Sequence, residues 1–408
     1  MAVADIELGV GPILTGRIHD ALGLYGLFAL LSAFTLTTLD GGGIAARVVS
    51  LLLFVLAAGY LSFPIGQRLT LGLPVICLLL MTCLGMAQTL WSPQKIVYQG
   101  WTGVLFWFTA AMIALLATQV FQQPRAAAQF RLGLVLFGSA VCILDLLEQA
   151  SHTSKYFWLI QSRYHSVFGP FAYWNNFAQF VELVLPITLW QGLAQRRAAV
   201  PYLLLGGLQI AAVVASGSRA GTALVLAELF VVVILAYLRY RSKTFVFGAV
   251  VAVVLSAVFI YAAGFQTVIG KFQQSDQLAV RRHINESSLD MIRARPLTGW
   301  GLETYVPVYR LFARYDDGTF VNRAHNDWLQ WTAEGGVFFS GLMLVIFVWS
   351  VYPAYRSGWG IGLIAICLQA LVDYPFARFG VCGWYFALIA MLAVRYQERK
   401  RVKSASPA

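Results

Sequence analysis

Apolar side chains run through this chain in long uninterrupted blocks separated by short polar breaks. The blocks lie near 21–39, 44–63, 71–90, 99–121, 131–150, 175–194, 200–216, 220–238, 244–264, 335–353, 357–373 and 379–396. Each is roughly 17 to 25 residues, the length that crosses a hydrocarbon core as a helix. The pattern predicts an all-α polytopic membrane protein of about twelve transmembrane helices. One break is far longer than the rest, 265–334, between the ninth and tenth blocks. The chain therefore divides into membrane helices one to nine (1–264), a large polar loop (265–334), helices ten to twelve (335–397) and a basic tail (398–408), which reads as unstructured.

Composition supports this picture. With 59% hydrophobic and only 12% charged residues, the 408-residue chain has too little polar surface for soluble domains. Residues 1–20 lack the basic start and short apolar stretch of a cleaved signal, so the first span is expected to be an uncleaved anchor. Five cysteines fall within or at the ends of predicted spans, as small apolar residues, and suggest neither a disulfide framework nor a metal site.

Charge sets the expected orientation. Of the 29 Lys and Arg residues, fifteen fall on the segments that an inside N-terminus makes cytoplasmic and six on the short outer segments, the bias short loops show. Both termini are thus expected in the cytoplasm and the long loop outside. That loop carries eight more basic residues, an excess that suits an anionic ligand on the outer face, although long loops translocate whatever their charge.

Candidate chemistry gathers at the outer breaks. Within the loop, Ser275 or Asp276 can cap a helix that Pro296 ends after Arg295. Its apolar face of Ile284, Ser288, Met291 and Ile292 suits a helix lying along the membrane surface, with Arg281, Arg282 and Arg293 free to face polar groups. The loop closes with Arg323-Ala324-His325-Asn326-Asp327 and, a little further on, Glu334. His325 is the candidate base, because a neutral imidazole accepts a proton near physiological pH. Between two spans, Gly217-Ser218-Arg219 pairs free N–H groups at a helix start with a cation, a good phosphate cradle. Arg163 stands at the entrance to the sixth span, followed by Asn175-Asn176 as ordinary caps and by Phe168, Phe171, Tyr173 and Trp174, read as an interfacial belt or as walls for a sugar or polyprenyl chain. Asp316-Asp317 before Gly318 reads first as a turn and only second as a metal pair. Gly299-Trp300-Gly301 does not continue as a dinucleotide fingerprint.

Taken in order, RYHSVFGPFAYWNNFA (163–178), SGSRAG (216–221), Arg281 ahead of PLTGWG (296–301), AHNDWLQWTAEGG (324–336) and LVDYPF (371–376) resemble the bacterial O-antigen ligase and O-antigen polymerase superfamily of integral membrane glycosyltransferases. These stretches span over half of the chain. Two positions differ from the common pattern: Asn285 stands where many members carry Trp, and Tyr173-Trp174-Asn175-Asn176 replaces the usual Asn-containing motif. The resemblance implies transfer of a glycan from an undecaprenyl pyrophosphate carrier to a glycan or glycolipid acceptor at the outer, periplasmic face of the bacterial inner membrane. No metal, cofactor, nucleotide sugar or nucleic acid is implied. Carried over residue by residue, His325 resembles the loop histidine proposed to activate or orient the acceptor hydroxyl, while Arg219, Arg281 and Arg163 resemble the arginines proposed to hold the pyrophosphate. Arg282, Asn326, Asp327 and Glu334 are secondary candidates. Within the resemblance, ligase, polymerase and protein-glycosylating activities stay open. A transporter of an anionic glycolipid is the alternative from another class; it would be expected to show repeated halves or helices broken near mid-membrane, and none is visible.

Overall fold

The computed structural model describes residues 12–38, 43–62, 69–91, 97–163, 166–194, 199–240, 277–314 and 320–405, with isolated residues between 250 and 261. The described residues form thirteen α-helices: α1 (Pro12–Leu36), α2 (Gly43–Ser62), α3 (Leu73–Trp91), α4 (Val97–Val120), α5 (Pro124–Ala150), α6 (Trp174–Ala194), α7 (Ala199–Ser216), α8 (Arg219–Tyr240), α9 (Gln277–Ala294), α10 (Tyr305–Phe312), α11 (Asp327–Ser357), α12 (Ile361–Gln369) and α13 (Phe379–Ala405). A two-residue hairpin, β1 (Lys155–Tyr156) against β2 (Ile160–Gln161), is the one strand pair among them. The chain is an all-α polytopic membrane protein.

Ten of these helices, α1 to α8, α11 and α13, are long and apolar enough to cross a membrane. They correspond to the first eight, the tenth and the twelfth of the predicted spans. Most of the ninth, 244–264, lies outside the described residues. The eleventh, 357–373, is not one continuous helix. It is reduced to the nine residues of α12, because Gly358 turns the chain at φ +73° before it, and Asp373-Tyr374-Pro375 breaks it after. α12 packs against the middle of α6, where Gly362 lies on the carbonyl of Glu182. Pro186, four residues further along α6, has no N–H to give that carbonyl.

Burial explains the layering. α4, α6 and α13 are enclosed by their neighbours over most of their length, whereas α1, α2 and α8 leave apolar faces open, as lipid-facing helices do. The described part of the basic tail, 398–405, is helical. Glu398-Arg399-Lys400-Arg401 continues α13 to Ala405, since these are strong helix formers with no Gly or Pro before Pro407, and Arg395 pairs with Glu398 at 2.8 Å.

The loop is docked onto the bundle rather than laid on a membrane surface. In α9, Ile284, Ser288 and Met291 are buried against Tyr305, Val308 and Tyr309 of α10 and against Ala324 and Ala333, so protein covers the face expected to meet lipid. Ser275 and Asp276, the expected caps of this helix, lie outside the described residues. Leu302 inserts between α3 and α4 into space that Gly85 and Gly103 leave open.

The turn 296–301 locks onto α11 where that helix breaks. At Gly336 (φ 77°, ψ 178°) the helical path is interrupted, which frees the carbonyls of Ala333 and Glu334. Trp300 N–H donates to Ala333 O at 2.9 Å, Gly301 N–H to Glu334 O at 2.8 Å, and Val337 N–H to Pro296 O at 2.9 Å. The Gly-Trp-Gly stretch therefore has a structural purpose, and the kink turns the first part of α11 toward the loop.

Candidate functional site

Two segments lie side by side where the loop rejoins the bundle. Asp327 N–H donates to Ala370 O (2.8 Å) and Asp373 O (3.2 Å), and Phe376 N–H donates to the Asp327 carboxylate (2.9 Å). This pairing places His325 beside Asp373, with Nδ1 of the imidazole 3.8 Å from Oδ1 of the carboxylate. His325 sits at φ +51°, in the left-handed region that a residue with a Cβ adopts only when its surroundings hold it there. Ala324 N–H, bonded to Gln330 Oε1 at 3.1 Å, pins one side, and the Asp327 contacts pin the other. The edge of the imidazole meets the ring of Tyr374 at 5.0 Å between centroids. The imidazole is 24% exposed while Asp373 is buried at 1%, so the histidine is the accessible member of the pair.

Asp373 is the hub. Its carboxylate accepts from the Asn175 amide and from Tyr374 N–H. Asn175 also donates to Tyr173 Oη (3.1 Å) and accepts from Ser218 Oγ (2.7 Å). Ser218 in turn accepts from Gly221 N–H (3.2 Å), capping α8 at the residue before Arg219. Asn175 and Asn176 are therefore not simple caps of α6: the first bridges two helices, and the second donates to Gln179. Arg281 reaches the same cluster from α9, donating to Val372 O at 2.8 Å and to Tyr173 Oη at 3.5 Å. Tyr173 stacks parallel to Tyr374 at 6.2 Å. Burial pushes the Tyr173 hydroxyl well above the usual phenol range, and Asp373 adds to this, so it stays neutral. Of the four aromatics read as a belt, Phe168 and Phe171 are instead buried and bonded to each other through their backbones.

The structure thus brings together His325, Arg281 and the turn that carries Arg219. Arg163 stands exposed beyond the hairpin. Among the secondary candidates, Arg282 is exposed and paired with Glu286 at 3.1 Å. Asn326 caps α11 by accepting from Leu329 N–H. Glu334 accepts from Tyr305 N–H at 3.0 Å, at the start of α10, and from Gln330. Asp316 and Asp317 lie outside the described residues.

Asp373 carried no expected role, whereas Tyr173 was expected only as part of an aromatic belt or wall and Ser218 only as part of the turn before Arg219. The signal for Asp373 was present: a lone carboxylate closing an apolar run is costly unless it has a partner.

Chemically, a carboxylate behind one imidazole nitrogen favours the proton on Nδ1 and leaves Nε2 as the basic atom. At 3.8 Å the pair is beyond hydrogen-bonding distance, and catalytic bonds of this kind commonly tighten when substrate binds. A base beside fixed guanidinium groups suits transfer of a group from an anionic leaving group to a hydroxyl.

The fold is that of a multi-pass membrane protein, and its cluster joins a histidine, a buried acid and an arginine. A sequence model of the family described as O-antigen ligase (Wzy_C) matches residues 204–346, which include the Arg219 turn, α9, the 296–301 turn and His325. This stretch belongs to the O-antigen ligase superfamily, whose members are bacterial lipid-linked glycan transferases of ligase or polymerase type. Comparison with curated proteins and with solved structures gives no match.

Proposed function

We propose that this chain transfers a glycan from undecaprenyl pyrophosphate to a sugar hydroxyl of an acceptor such as lipid A core, at the periplasmic face of the inner membrane. The observation that carries the reading is the meeting of His325, backed by Asp373, with Arg281 in one cluster. His325 Nε2 takes the proton of the acceptor hydroxyl. The oxygen attacks the anomeric carbon, the bond from that carbon to the pyrophosphate oxygen breaks, and the carrier leaves as pyrophosphate. Attack opposite the leaving group inverts the anomeric centre. Arg281 and Arg219, with Arg163 as the outlying member, stabilise the departing charge, the task a divalent cation performs in nucleotide-sugar enzymes.

The test places His325→Ala and Arg281→Ala in a strain lacking the gene and examines the surface polysaccharide on gels. A positioned base contributes about 10²–10⁴-fold, so His325→Ala is expected to abolish visible product. Wild-type glycan from both variants at normal protein levels would sink the mechanism. Loss of the whole ladder with accumulation of carrier-linked polymer marks a ligase, and single-repeat products mark a polymerase of the same superfamily.

A further inference from the structure

A hollow of about 330 Å³ lies at the end of the bundle opposite His325. α6 and α8 begin beside the His325 cluster, at Asn175 and Ser218, and their far ends line this hollow through Trp190 and Arg239. Arg131 of α5, Trp359 in the turn after α11, and Arg395 and Arg399 of α13 complete the wall. By the charge bias of the short loops, this end is the one expected in the cytoplasm.

Four guanidinium groups converge on this one space. The charged groups that act on Arg399 are Arg239, Arg356 and Arg395, and Arg395 acts on Arg131, so like charges face one another. The arginines are held from behind rather than neutralised. Arg239 and Arg399 both donate to the carbonyl of Arg356, at 3.0 and 3.1 Å. Arg131 lies over the Trp359 ring at 5.6 Å and donates to Met391 Sδ at 3.7 Å, and Arg239 lies over the Trp190 ring at 5.9 Å. Arg395 donates to Gln123 O at 3.5 Å and meets Glu398 at 2.8 Å, the one carboxylate paired with any of the four among the described residues. The stretches that follow α6 and α8, 195–198 and 241–249, lie outside the described residues; they contain Arg196, Arg197, Arg241 and Lys243 and no Asp or Glu. Across all the segments expected inside, the acids are Asp5, Glu7, Asp20 and Glu398, against fifteen basic residues. The chain itself cannot cancel the charge at this end.

We infer that this hollow binds the phosphate headgroup of an anionic phospholipid. Guanidinium groups take phosphate oxygens through paired N–H bonds, and basic pockets between the cytoplasmic ends of membrane helices suit such headgroups. Trp190 and Trp359 supply the rings that belong at headgroup depth. The acyl chains have a path as well: at the same ends of α8 and α11, Tyr237, Leu238, Tyr352 and Tyr355 are each half exposed or more. Four arginines call for more than one phosphate, so a lipid with two phosphodiesters, such as cardiolipin, matches best. Bound there, it joins the ends of five helices that otherwise repel. The site is independent of the proposed transfer reaction.

The test titrates purified full-length protein, stripped of lipid in detergent, with cardiolipin, phosphatidylglycerol and phosphatidylethanolamine. Binding is read by native mass spectrometry and by the rise in Tm that a ligand of the folded state produces. Wild type is expected to bind cardiolipin most tightly and phosphatidylethanolamine least. Arg239→Gln and Arg399→Gln, both at exposed positions, each raise the cardiolipin Kd by about tenfold, roughly one charge-assisted bond, and the double variant raises it further. Arg125→Gln/Lys400→Gln removes the same charge from exposed positions at the same end but outside the wall, and leaves the Kd unchanged. An equal rise in that control would reduce the effect to overall charge and overturn the inference, as would a wild type indifferent to the headgroup. Displacement of cardiolipin by inorganic phosphate makes this a free-anion site, and displacement by an oligoglutamate peptide makes it a protein-docking site; either overturns the lipid assignment. Should a Gln variant fail to fold, Arg239→Lys is read instead. It keeps the charge but loses the planar fork, so a smaller rise in Kd is expected, and an unchanged Kd overturns the inference equally.

Discussion

Nδ1 of His325 faces Oδ1 of Asp373 at 3.8 Å across two segments that meet only through folding, and the Asp373 carboxylate is held in turn by Asn175. An acid in this position fixes which imidazole nitrogen carries the proton and stabilises the imidazolium that forms during proton transfer. Asp373→Asn keeps the shape but offers an amide N–H that can donate to Nδ1. That favours the tautomer protonated on Nε2, where it cannot act as base. We expect kcat to fall about 10²–10⁴-fold, with acceptor KM little changed and the protein still folded. Steady-state transfer assays, paired with thermal unfolding of the same preparation, check this. A kcat equal to wild type would remove Asp373 from the mechanism.

Much of the scaffold was legible in the sequence because membrane spans advertise themselves locally: an apolar block of the right length needs no knowledge of its neighbours. Pro296 as the end of α9 and Ser218 beside a helix start were legible for the same reason. What escaped depends on residues far apart meeting. Asp373 and Asn175 are 198 positions apart, and neither Leu302 as a plug between α3 and α4 nor the fit of α9 against α10 is written in any short window. The eleventh span misled for a different reason. Its residues are apolar enough for a full helix, but Gly358 at one end and the Asp-Tyr-Pro break, which serves the site, at the other shorten it.

Gly336 offers a test of the kink that aims α11 at the loop. At φ 77° and ψ 178° it occupies a region essentially closed to residues with a side chain, and an added Cβ would fall 2.1 Å from the carbonyl oxygen of Leu297. That neighbour is backbone held in the 296–301 turn, so it cannot yield cheaply. Gly336→Ala is expected to cost about 2–4 kcal/mol and to loosen the loop. Gly341→Ala, later in the same helix with nothing within 4 Å of its would-be Cβ, serves as the control. It should be neutral or stabilising by up to about 1 kcal/mol. Thermal unfolding in one detergent ranks the two, and equal midpoints would show that the kink bears no strain on substitution.

The loop should also loosen in acid through one carboxylate. Asp290 on α9 is gripped by Arg314, beyond α10, at 2.6 Å, and by Arg293 at 2.9 Å. The hydrogen bond from Arg314, followed by that from Arg293, holds the Asp290 carboxyl below its ordinary value. A carboxyl whose folded pKa is depressed contributes its stability fully above the unfolded value, about 3.9, and loses it as pH falls through the lower folded value. Nothing should change between about pH 5 and 8, and the tie between α9 and the segment after α10 should weaken below about pH 4. Asp290→Asn should show the loosened state already at neutral pH and respond less to acid. Hydrogen exchange of residues 277–314 from pH 7 down to pH 3, corrected for the intrinsic pH dependence of exchange, measures this directly. An acid response of the same size in Asp290→Asn would assign it to another group.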